Sequence, residues 1–461
     1  VIDIDGTRLT VADIVAASSR TARVEVTDSA LAKVAASHAY AQEAAAERPI
    51  YGWSTGVGAN RTVALTDPDA QALDLLRSHA TSAAALRDAA RVRAMLVVRL
   101  NQLAVGTSGI DPAIVTGLAG MIDRDDLPAV RELGSIGTGD LSALAATALA
   151  LHESVPFGRG SALPFLSSNA ATIADAALAV SRLQSLARST IAVAALVLEA
   201  VDGNLEAFSP AAEQASPLAG TSDVCRTMRR LVPTPGEPAR IQDPFGLRVL
   251  PQVHGALLDA LDRLETVVLA MANSGSENPT FSPDLGVAHH GGFYAAHLAQ
   301  ALDSVTLATA QTAQLSLARL GMLQEPSLTG LDAFLGDGTP GASGTMIVEY
   351  VAASALSELR ALATPASLQT ATLSRGVEEE ASFASLAARQ ALDSVAHFRT
   401  ILAGELVAAV RCARQKDPRH GRSRALDMCG SLPDETGDRD LTSDLQIGES
   451  LVDELSALVT F

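Results

Sequence analysis

Four long stretches of this chain, about 169–199, 295–322, 344–363 and 381–414, carry helical apolar patterns. Their lengths suit a bundle whose apolar stripes bury one another. Ala and Leu, strong helix formers, dominate, aromatic residues are only 3%, and few segments alternate β-branched residues, so the sequence predicts an all-α fold. A chain of 461 residues ordinarily divides into two or three domains, yet there is no repeat and no strong linker. The expectation is one continuous helical body. It comprises a lid and active-site region (1–200), a long-helix bundle (201–415), and a tail with a terminal helix (416–461).

The net charge of −18 argues against nucleic acid or an anionic membrane as partner. Cys225, Cys412 and Cys429 lie far apart and make neither a disulfide framework nor a metal-ligand spacing, which fits a reducing cytoplasm and no metal. No secretory signal is read at the N-terminus. The most apolar run, Ile191–Leu198, is too short to cross a bilayer. The Ala/Arg-rich, Lys-poor composition suggests a high-GC bacterial genome and a place in specialised metabolism.

In chain order, Val1–Ile4 alternates like a strand and turns at Asp5-Gly6, and helical patterns follow. Ile50-Tyr-Gly-Trp-Ser-Thr-Gly-Val-Gly58 holds the only Trp and suits a mobile lid, or else a surface loop with Tyr51 packed down. Residues 68–125 read as helices; His79 within them is read as a core histidine or a catalytic one. Gly134-Ser-Ile-Gly-Thr-Gly-Asp-Leu141 then opens an Ala/Leu-rich helix to His152. Such a loop is a strained functional turn or a plain connection. No strand is predicted before it and no Gly-Lys-Ser/Thr follows, so a phosphate cradle is not indicated. Ser161–Asn169 leads into the first long helix. Glu206–Arg240 is rich in Pro, Ser and Thr and reads as exposed; a helix is expected from about Val253. The tail after Lys416 is charged, with a last amphipathic helix at 449–459.

Set in order, these segments resemble the histidine and aromatic amino-acid ammonia-lyase and aminomutase family, from about residue 2 to 415. Tyr51-Gly-Trp-Ser-Thr-Gly-Val-Gly58 is similar to the family's Tyr-Gly-x-x-Thr-Gly-Phe-Gly. Ser78-His79-Ala80 and Arg99-x-Asn-x-Leu-x-x-Gly-x-Ser-Gly109 use the family's words. Gln242-Asp-x-Phe-Gly-x-Arg248-x-x-Pro-Gln-Val-x-Gly255 matches Gln-Asp-x-Tyr-Ser-x-Arg-x-x-Pro-Gln-Val-x-Gly. Asn278-Pro279, Gly291-Gly-Phe-Tyr294, Pro365-Ala-Ser367 and Glu378 are later echoes. The resemblance implies an elongated all-α bundle of the fumarase/aspartase-like type. It also implies a homotetramer in which each active site draws on three subunits, and a small-molecule substrate.

The resemblance also marks departures. Family members form a methylidene-imidazolone electrophile from Ala-Ser-Gly within Gly-Ser-x-Gly-Ala-Ser-Gly-Asp-Leu. This chain is one residue short there, and the tripeptide reads Gly137-Thr138-Gly139, without serine. The expectation is therefore no cofactor: dehydrating Thr138 would add a methyl to the alkene and crowd the carbon under attack. The family Asn of Leu-Leu-Asn-Gly-Thr aligns with Ser167, and its second Tyr with Phe245. Removing one donor aimed at developing charge typically costs ~10²–10³ in rate.

By family position, Tyr51, Thr138, Gly139, Ser167 and Glu378 form the catalytic set, and His79, Gln242, Phe245, Arg248 and Phe293 the substrate-binding set. Tyr51 could act as general base or acid if its pKa is lowered, and Arg248 could hold a carboxylate in a bidentate pair or else make a structural ion pair. The reading is an enzyme without the imidazolone, doing elimination, isomerisation, conjugate addition or cyclisation on a small carboxylate-bearing metabolite. The alternatives are a true ammonia-lyase or aminomutase with a Thr-derived group, and a non-catalytic binding or partner subunit.

Overall fold

A computed structural model describes residues 1–233, 236–416 and 424–461. The four long patterns are the helices Ala170–Ala200, Ala296–Gln324, Met346–Leu362 and Ala384–Gln415. A fifth, Leu250–Ala272, starts a little before the expected Val253. Among the described residues the strands are three or four residues long and form three two-stranded sheets, so the fold class is all-α as expected. The stretch 162–200 is long and apolar enough to cross a membrane, but 78% of its most apolar window is buried inside the protein. Burial, rather than the shortness of Ile191–Leu198, marks it as a core segment.

The chain forms two compact units. One contains Val1–Ser181, Leu264–Asp303 and Pro365–Leu392. Here Ile2–Ile4 pairs in parallel with Val24–Val26, and Thr10 starts the helix Val11–Ser18 through a capping box with Asp13. The helix Ala89–Ala104 is buried on every side from Val92 onward, so its polar residues must find partners inside. Arg99, fully buried, donates to Glu277 Oε1 at 2.8 Å, to Phe165 O at 3.1 Å and to Pro164 O. Asn101 donates to Ala272 O at 2.9 Å. Arg87 and Arg91 share Asp175 and Glu132 in a second network, with Arg87 to Asp175 at 2.7 Å. Trp53 is buried against Phe281, ring centroids 5.2 Å apart. A Cβ at Gly160 would meet the Trp53 ring at 2.6 Å, so only glycine fits there.

The other unit contains Arg182–Arg263, Ser304–Thr364 and Asp393–Phe461. Its core carries a buried ion pair: Arg319 Nε donates to Glu405 Oε1 at 2.6 Å, and its Nη1 to Gly246 O at 3.1 Å. His254 contacts Ala187 O at 3.0 Å, and burial pushes its pKa down to about 3, so it packs as a neutral ring. The expected exposure of Glu206–Arg240 is corrected in part, since Pro210–Ala215 and Ala219–Leu231 are helices. Val224, Cys225 and Met228 bury one face of the second; the surrounding polar residues hid that stripe. Positions 234 and 235 of that stretch, and 417–423 of the charged tail, lie outside the described residues. The last helix runs Thr442–Leu455, with a 3₁₀ turn at Ser456–Leu458, earlier than expected.

Candidate active site

A strand does precede the glycine loop, contrary to expectation: Arg131–Leu133 pairs antiparallel with Ala83–Leu86. The strands are too short to leave an alternating signature. The loop itself is clamped by the approach to the helix Ala384–Gln415. Ser382 Oγ donates to Gly137 O at 2.9 Å, Phe383 N to Ile136 O at 2.8 Å, and Ser385 Oγ to Ser135 O at 2.9 Å. Gly137 has φ +86°, and a Cβ there would fall 2.1 Å from Ser382 Oγ. Glycine is thus required by both backbone and neighbour.

On its far side the loop is held by Asn169: Gly139 N donates to Asn169 Oδ1 at 3.1 Å, and Asn169 Nδ2 donates to Phe293 O. Asn169 was missed by sequence reasoning, which assigned this support to Ser167. The Ser167 hydroxyl instead accepts from Asn278 N at 3.0 Å. The available signal was the Asn standing just before the long helix, where Asn ordinarily satisfies free amides. Asp140, at the mouth of the next helix, turns its carboxylate to Thr172, accepting from N at 2.8 Å and Oγ1 at 2.9 Å. Burial raises its pKa against those bonds. Thr138 is half-buried between these anchors.

The Tyr51 loop is fastened at three points. Tyr51 N donates to His289 Nε2 at 3.2 Å, Gly58 N to the Tyr51 hydroxyl at 2.7 Å, and Ala59 N to Ser374 Oγ at 3.0 Å. Burial raises the Tyr51 pKa, and the Glu378 carboxylate adds to that despite the Gly58 bond. The lowered pKa on which a basic Tyr51 depended is therefore corrected: the ring is a neutral phenol. The Gly58 bond occupies a lone pair and leaves the O–H free to donate. Glu378 is half-buried beside it, and Glu379 and Glu380 are exposed. His79 Nδ1 lies 3.0 Å from Leu75 O, and the ring lines a cavity of about 360 Å³ with Gly52, Thr55, Asn60, Gln71 and Ser78.

Phe293, half-buried, lies in the same unit as Tyr51, whereas Gln242, Phe245 and Arg248 lie in the other. Arg248 Nη1 donates to Gln242 Oε1 at 2.9 Å, and the guanidinium lies 4.6 Å from the centre of the Phe245 ring. Arg248 Nε is buried and has no partner among the described residues. Gln242 and Arg248 line a cavity of about 420 Å³ with Asn204, Glu206 and Asp243. Phe245 is 61% exposed.

A helical chain with a clamped glycine loop and a tyrosine-bearing loop beside it has the build of an ammonia-lyase or aminomutase type of enzyme. A sequence model of the aromatic amino acid lyase family matches residues 9–157 and 152–429, and the chain belongs to that family. It is 33% identical to a histidine ammonia-lyase of Geobacillus thermodenitrificans, with 81% of each chain covered. Identity to the histidine ammonia-lyase of Myxococcus xanthus is 30%, over 99% of this chain and 98% of the other. Tyrosine aminomutase from Streptomyces globisporus superposes with TM-score 0.92 at 26% identity, covering 98% of this chain and 97% of that one. The ergothionase of Treponema denticola shares the fold with TM-score 0.90 at 21% identity, covering all of both chains.

Proposed function

We propose that this chain is an acid–base enzyme of the ammonia-lyase fold that works without the imidazolone electrophile, on a small carboxylate-bearing metabolite. The observation that carries the reading is the loop. Its tripeptide, Gly137-Thr138-Gly139, has no serine to lose as water. The loop is held at both ends of that tripeptide, Gly139 N donating to Asn169 and Ser382 Oγ donating to Gly137 O, so the misfit lies in the missing serine and not in the backbone. These residues do not fit the group. What is left is proton chemistry: the neutral Tyr51 phenol donates a proton, and Glu378 on the facing loop accepts one. Such a pair suits a substrate whose C–H is already acidic or whose leaving group is already good. Elimination, isomerisation, conjugate addition and cyclisation all meet that condition. We further propose a homotetramer in which Gln242, Phe245 and Arg248 of another copy complete the site. The three cysteines are free and buried, which suits a reducing cytoplasm.

The test is the intact mass of the purified protein, with ammonia release from histidine, tyrosine and phenylalanine measured alongside. The expected mass is that of the unmodified chain, with no ammonia released. A loss of two waters mapped to the Thr138 peptide, with ammonia release, overturns the reading in favour of a Thr-derived prosthetic group.

The unpartnered Arg248 Nε is a buried donor awaiting an acceptor, and a carboxylate supplies one. Arg248→Met is expected to weaken binding of 3-phenylpropanoate by about 10- to 100-fold, the worth of a charged hydrogen bond. Binding of the neutral 3-phenylpropanamide stays nearly unchanged. Calorimetry on both probes checks this, and equal losses would make Arg248 a packing residue.

A further inference from the structure

The Tyr51 loop leans on a residue that no part of the proposed chemistry uses. His289 follows the short strand Gly286–Ala288, and its Nε2 lies 3.2 Å from the Tyr51 amide. On the ring's other side, Arg48 Nη2 stands 3.5 Å from Nδ1. Both neighbours are donors. A neutral imidazole carries one acceptor nitrogen and can satisfy one of them, whereas an imidazolium has two N–H groups and no acceptor. The closed loop therefore selects the neutral ring.

We propose that His289 is a positioning residue, a latch whose neutral imidazole holds the Tyr51 amide and with it the lid, and which lets go on protonation. The charged groups bearing on it are Arg48, at the end of the helix Asp28–Glu47, and His290 beside it. Both oppose the imidazolium. Partial desolvation of this largely exposed ring, then Arg48, then His290 set its pKa below the ordinary value while the lid is closed. The sign follows by linkage: the latch is fully made above the ordinary histidine value of ~6.5 and is lost as pH falls through the lower closed-state value. Of the other two fastenings, Gly58 N to the Tyr51 hydroxyl lies within the loop and Ala59 N to Ser374 Oγ involves no titrating group, so the pH response falls on the Tyr51 end of the loop.

The consequence for turnover rests on the proposed role of Tyr51, but the latch itself does not. The experiment therefore reads the lid. Amide hydrogen exchange is followed by mass spectrometry on the peptide 50–61 of the full chain, between about pH 5 and pH 8. Rates are corrected for intrinsic exchange. The expected result is protection that falls with falling pH in the natural protein. His289→Leu should speed exchange about 5- to 10-fold at the upper pH, the worth of one hydrogen bond. His289→Gln, which keeps an acceptor that does not titrate, should restore protection and remove the pH dependence. His289 is exposed, so these variants fold; the buried helix Ala89–Ala104 serves as the internal control for global unfolding. Wild-type protection in His289→Leu, or pH-independent protection in the natural protein, overturns the latch. If the latch stands while Tyr51→Phe is fully active, the chemistry proposed for Tyr51 fails and the positioning role survives.

Discussion

Tyr51→Phe is expected to lower turnover by about 10²–10⁴-fold, the usual contribution of a positioned proton donor, while leaving the protein folded. The substitution removes the hydroxyl and keeps the ring. Its structural cost is confined to the Gly58 amide, which loses an acceptor at 2.7 Å in a part-buried loop. About 1 kcal/mol of stability is at stake. Because burial and Glu378 hold the phenol above its ordinary pKa, the active form is the protonated one. Activity that needs this proton is present below the raised pKa and declines only above it, so the natural enzyme shows no loss from Tyr51 near neutral pH. Turnover of a substrate found from a carboxylate library, followed against pH, measures both points. Equal turnover in the two proteins removes Tyr51 from the chemistry. An alkaline limb that persists unchanged in Tyr51→Phe assigns that limb to another group.

Arg99→Met is expected to destabilise the unit that holds the Tyr51 loop by about 3–5 kcal/mol, the cost of removing one partner from a buried ion pair. Arg99 and Glu277 are 0% and 1% exposed, so no water replaces the lost guanidinium. Glu277, already raised by burial and lowered chiefly by Arg99, takes up a proton rather than remain an unpaired anion. The carbonyls of Pro164 and Phe165 lose their donor as well. Those residues lead directly to Ser167, whose hydroxyl holds Asn278 N, so the damage spreads to the site. Adding Glu277→Gln should recover part of the loss by removing the buried acid. Trp53, fully buried in the same unit and the only Trp, reports the unfolding midpoint by its emission. An unchanged midpoint in Arg99→Met would show that the pair adds no net stability.

Much of this protein was legible in its residues. Helical period over four long stretches fixes an all-α chain, because a stripe of that length can be buried only against other helices. The motifs around Tyr51, His79, Arg99, Gln242–Arg248 and Glu378 identify the family, and the absence of serine from Gly137-Thr138-Gly139 already raises the question of chemistry. What the sequence left undecided depends on contacts between distant segments. That Asn169 rather than Ser167 steadies the loop is set by which side chain the entry to the long helix turns towards Gly139. No spacing rule encodes that. Apart from Ile2–Ile4, whose alternation shows in the sequence, the strands were invisible because three or four residues carry almost no period. The state of the Tyr51 phenol was misjudged because pKa shifts come from burial and from Glu378, some three hundred residues away along the chain and adjacent only after folding. The same holds for His289, which becomes a partner of Tyr51 only when the loop following Gly286–Ala288 meets the Tyr51 loop. Local pattern decides what the elements are; desolvation and the pairing of polar groups, which act through space, decide what each site residue can do.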